Sequence, residues 1–113
     1  MATRYYISLP DPARARASGA FAFRSQGADG LAQELQEALR GDDLFQRWRA
    51  AQQDPDAVDA ALGATDPGAT VTGQQDDLHV DLIAVTSIAG SVFKQRLRLL
   101  AGSAWELRDV SAA

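Results

Sequence analysis

The chain has no cysteine, one histidine (His79), one lysine (Lys94) and no apolar run long enough to cross a membrane. Without cysteine, disulfides, thiolate catalysis, cysteine-ligated zinc and iron-sulfur clusters are all excluded. A sole histidine confines imidazole chemistry to one position. The segment Met1–Pro10 lacks the apolar stretch of a signal peptide, and Pro10 interrupts what little there is, so the expected location is the cytoplasm. Cations are also in the minority. Eleven Lys plus Arg stand against fifteen Asp plus Glu, for a net charge of -4. That balance opposes broad attraction to phosphate backbones or anionic lipid, and neither nucleic acid nor membrane is an expected partner. Because nearly every cation is arginine and alanine is abundant, the arginine count reads as compositional bias rather than a demand for guanidinium chemistry.

What is present suffices for a core. At 113 residues and 46% hydrophobic content, one domain spanning 1–113 is expected, burying about 65% of its unfolded surface. The apolar period changes at Asp66-Pro67-Gly68, from helix-like spacing before to strand-like spacing after. Tyr5, Ile7 and Leu9 alternate with Tyr6 and Ser8, and Phe21 and Phe23 alternate with small or polar neighbours, predicting two strands joined by a loop over 11–19. Leu31, Leu35, Ala38 and Leu39 then define a helix ending at Gly41, with Asp29 or Ser25 as its cap. Leu44, Phe45, Trp48 and Ala51 define a second behind Asp42. Asp54-Pro55 followed by Val58, Ala61 and Leu62 suggests a short third.

Beyond the break, Val71 marks a polar strand and Gln75-Asp76-Asp77 a turn. Leu78, Val80, Leu82 and Ala84 make one side of a clear strand, with His79 and Asp81 on the other until Ile83 and Val85 turn both sides apolar. Treating Thr86–Ser91 as a hairpin loop makes Phe93, Leu97 and Leu99 a further strand, facing Val92, Lys94, Arg96 and Arg98, and Trp105 and Leu107 a last one. In that register Asp81 faces Arg96, His79 faces Arg98, and Arg98 faces Glu106. The expected fold is α+β: a mainly antiparallel sheet of about five strands, in chain order β-β-α-α-α-β-β-β, with helices on one face.

No motif carries a recognised chemistry. His79 beside Asp81 and Arg98 is the one constellation suited to general-base work with an anion held by arginine, but simple alternation on a solvated strand is the stronger account of it. Asp76, Asp77 and Asp81 lie near His79 in sequence, but with no known ligand spacing, so no metal and no cofactor is expected. Arg14, Arg16 and Arg24 could clamp an anion, and Trp48 and Tyr6 could line a ligand pocket between sheet and helices. The reading ranked first is a non-catalytic interaction module that forms a homo-oligomer, notably a homodimer, or binds a protein partner. Ile83 and Val85, with Val92 and Leu100 on an otherwise polar face, motivate it. A small-ligand binder comes next and an enzyme using His79 last.

Overall fold

A computed structural model describes residues 1–113. Its strands are β1 (Thr3–Leu9), β2 (Thr70–Asp76), β3 (His79–Thr86) and β4 (Glu106–Ala112), and its helices α1 (Pro12–Arg16), α2 (Ala28–Arg40), α3 (Asp43–Ala50) and α4 (Gly90–Ala101). The strands form one antiparallel sheet in the order β2-β3-β1-β4. Each of the connections β1-α2-β2 and β3-α4-β4 thus joins two strands that have a third lying between them, the split βαβ arrangement. The α+β class and the one-sided helical cover match the sequence reading. The strand count is four rather than five.

Alternation along the strands divides the sheet cleanly. Tyr5, Ile7, Leu9, Val71, Val80, Leu82 and Ala84 are buried against Leu31, Leu35, Leu39, Phe93, Leu97 and Leu100 of α2 and α4, within one apolar core. The Tyr5 and Phe93 rings stack with centroids 4.1 Å apart where β1 meets α4. β2 runs so close to the N-terminal turn of α2 that a Cβ on Gly73 would strike the Ala28 carbonyl and the Ala32 side chain, which explains a glycine in mid-strand.

Of the six segments that read as strands, two form none, for different reasons. Residues 20–24 alternate like a strand, yet β1 already has β3 on one side and β4 on the other. The Phe23 N–H donates instead to the Leu100 carbonyl (2.8 Å), and the Arg24 and Ser25 N–H groups to the Glu34 carboxylate. Phe23 still enters the core, from a loop. The segment 90–101 is helix α4 because its buried residues, Val92, Phe93, Arg96, Leu97, Leu100 and Ala101, recur at three- and four-residue spacing. Its Lys94, Gln95, Leu97 and Leu99, none of them branched at Cβ, are good helix formers. The cross-strand pairs of Arg96 with Asp81, and of Arg98 with His79 and Glu106, therefore do not exist.

Smaller differences concern ends and turns. Asp11 caps a one-turn helix over Pro12–Arg16 inside the expected loop, and Gly27 rather than Asp29 or Ser25 precedes α2. The third helix is replaced by two 3-10 turns, Pro55–Ala57 and Ala60–Gly63, because Val58 between them is extended. The β2–β3 turn is Asp77-Leu78, leaving Leu78 82% exposed at its tip rather than in the core. Gly102 ends α4 at φ +60, where a side chain would be strained and would also meet Ser18.

The C-terminal end of α2 anchors everything around it. Its last carbonyls, which no residue of the helix can satisfy, are taken in turn by the Gly41 N–H on Glu37, the Arg96 guanidinium on Ala38 and the Asp66 N–H on Leu39. Arg96, wholly buried on α4, also donates to the Leu62 (2.8 Å) and Ala64 (2.9 Å) carbonyls. Burial lowers its pKa, and the Asp42 carboxylate opposes that shift. Asp66, at the break in period, accepts from the Ser87 N–H (2.9 Å), the Thr86 hydroxyl (2.9 Å) and the Gly68 N–H (3.0 Å), fastening the start of β2 to the end of β3.

Replacing Arg96 by leucine would strip hydrogen-bond donors from the Ala38, Leu62 and Ala64 carbonyls without removing those carbonyls. The expected loss is more than about 3 kcal/mol in urea unfolding, against near-neutrality for Arg98→Leu on the exposed side of α4. The Asp66 carboxyl is held below its ordinary value of 3.8, chiefly by the Ser87 N–H, with partial burial opposing and Thr86 and Gly68 assisting. Its contribution is therefore present above the unfolded-state pKa and lost as pH falls through the lower folded-state value. Thermal melts of the parent and Asp66→Asn should differ by a constant amount above about pH 5 and converge only as pH falls below 3.8, through the lower folded-state value.

Candidate functional site

The face of the sheet away from the helices carries the polar half of each strand's alternation. The registers arrange it in rows across the strands. Thr70, Val85, Arg4 and Ser111 form the first; Thr72, Ile83, Tyr6 and Asp109 the second; Gln74, Asp81, Ser8 and Glu106 the third; and Asp76 with His79 the last. A bulge opposite Tyr6 and Ile7 inserts Arg108 into β4, and its guanidinium reaches Glu106 at 3.0 Å. Ile83 is 37% exposed in the middle of this face, beside the half-buried Tyr6 and Val85.

The lower rows form a shallow groove lined by Tyr6, Ser8, Gln74, Asp76, Asp77, His79, Asp81, Ile83, Glu106 and Arg108 among others. His79 Nε2 lies 3.4 Å from an Asp81 oxygen and 3.7 Å from an Asp76 oxygen. One ligand atom from each of the three residues falls within 4.8 Å of the others. Strand alternation puts His79 and Asp81 on one face, as the sequence indicates. Asp76 joins them because the two-residue turn sets it directly opposite His79. A turn read one residue earlier, over Gln75–Asp77, hides that pairing.

The remaining candidates are dispersed. Arg98 is exposed on α4, on the opposite side of the sheet from His79 and Asp81. Arg14 and Arg16 sit in the last turn of α1. Arg24 lines a crevice with Glu34, Glu37, Asp43 and Arg47, beside Phe21 and Leu44, and neither Arg14, Arg16 nor Trp48 reaches it. Trp48 packs on Phe45, ring centroids 6.0 Å apart. Its two arginines share the crevice with three carboxylates, so it offers an anion no surplus of positive charge. The space between sheet and helices is filled by core side chains. No helix is long and apolar enough to cross a membrane.

Comparison with protein-family models, curated proteins and solved structures finds no match for this chain. The fold alone carries no function, because the same topology hosts unrelated activities.

Proposed function

We propose that this chain is a non-catalytic interaction module that self-associates through the open face of its sheet. The observation that carries the reading is the one-sided cover: α2 and α4, backed by α3 and α1, lie on one face, while the other holds Tyr6 and Ile83 at its centre with Val85 in the adjoining row. Burying such side chains against a partner contributes about 25 cal/mol for each Å² of apolar surface removed from water.

Charge selects the partner and its orientation. Arg4 stands in the first row, whereas Asp81 and Glu106 flank Ser8 in the third. Face-to-face stacking about a two-fold axis lying across the strands superposes first row on third, so each copy's Arg4 meets the other's Asp81 and Glu106. An axis along the strands would instead bring the two arginines together and crowd the acids, a like-charge arrangement that costs stability. The face is therefore complementary to itself in one orientation, as an isologous dimer requires.

Sedimentation velocity should give a dimer for the parent chain. Ile83→Asp should give a monomer with an unchanged circular dichroism spectrum, since Ile83 lies outside the core. Arg4→Glu should weaken association, and Arg4→Glu combined with Glu106→Arg should recover it. A parent chain that stays monomeric at millimolar concentration would overturn the reading.

A further inference from the structure

We propose that Asp76, His79 and Asp81 form a binding site for a first-row divalent metal ion, with Zn²⁺ the best match. An imidazole nitrogen and two carboxylate oxygens make the mixed donor set that such ions take. The spacing is close to that of a site. Zinc bonds of about 2.0–2.2 Å place neighbouring ligands of a tetrahedron roughly 3.3–3.6 Å apart; the two separations from His79 Nε2 are 3.4 and 3.7 Å, and all three ligand atoms lie within 4.8 Å of one another. Charge-assisted N–H···O hydrogen bonds are shorter, about 2.7–2.9 Å. The carboxylates thus flank the nitrogen at ligand distance rather than at bonding distance to it.

The backbone holds the three donors in place before any ion arrives. Asp76 and His79 are directly opposed across the β2–β3 ladder, and Asp81 follows two residues on, on the same face. The turn between them is locked by the Gln75 side-chain amide, which donates to the Asp77 (2.9 Å) and His79 (3.2 Å) carbonyls. Asp77 takes the left-handed conformation this tight reversal needs, at φ 55. Such pre-ordering lowers the entropic cost of assembling a site. Asp77 and Glu106 add negative charge to the same groove, against Arg108 alone, so the local potential attracts a cation. Three protein ligands leave a tetrahedral ion one position open toward the groove.

Co²⁺ is the probe of choice, because its visible spectrum reports coordination geometry. Titrated into chelator-treated protein, it should bind one to one with a tetrahedral spectrum, and Zn²⁺ should displace it. His79→Gln and Asp81→Asn should each weaken binding at least about tenfold, while Asp56→Asn, in the exposed 3-10 turn away from the groove, should leave binding and spectrum unchanged. Zn²⁺ should also raise the melting temperature of the parent chain and not that of His79→Gln. Failure to saturate at millimolar Co²⁺, or equal binding by parent and His79→Gln, would overturn the proposal.

Discussion

A single buried cation with no carboxylate bonded to it organises the helical layer. Taking the Arg96 guanidinium out of water is expensive, and what compensates is a set of backbone carbonyls, one of them in the last turn of α2. That end of a helix carries partial negative charge, so the electrostatics favour a cation there. The same side chain thereby joins three segments distant in sequence: α4, α2 and the turns over 55–63. An apolar residue of equal volume could fill the space but could not satisfy the oxygens, which is why this position tolerates the cost of a buried charge.

The sheet is where the two halves of the molecule separate in kind. Its helical side is apolar and closed, and its open side is polar at the ends and apolar in the middle. Both functional readings arise from strand register rather than from sequence proximity. The proposed dimer face depends on Arg4 and Glu106 sharing a surface although they lie far apart in the chain. The proposed metal site depends on a two-residue turn. A shift of one residue in either pairing would turn these side chains into the core and dissolve both features.

Legibility from the sequence followed the range of the forces involved. β1, α2, α3 and β3 were readable because their alternating or helical stripes are local and unbroken, as in Leu31, Leu35 and Leu39. Residues 20–24 were misread because alternation says nothing about whether a neighbouring edge is free, and β1 has none to offer. Helix α4 was misread because Phe93, Leu97 and Leu99 also fit a period of two, while Val92 and Leu100, set aside as apolar exceptions on a polar face, in fact belonged to the helical stripe. Arg96 looked like a surface strand residue for the same reason. At the candidate site, His79 and Asp81 were legible from alternation, whereas Asp76 required the turn position, and Arg98 was placed beside them only through the misread helix.

The pairing of β1 with β4 ties the beginning of the sheet to the last strand made. β1 is an inner strand, and both of its neighbours, β3 and β4, come after most of the chain. At ribosomal speeds of about 5–20 residues per second, roughly 5–20 s pass between synthesis of β1 and of β4. Until β3 is made, β1 has no strand to pair with, and until β4 is made one of its edges stays open. The sheet therefore closes only after β4 has been made, through a pairing between strands about a hundred residues apart, the kind of long-range contact that slows folding.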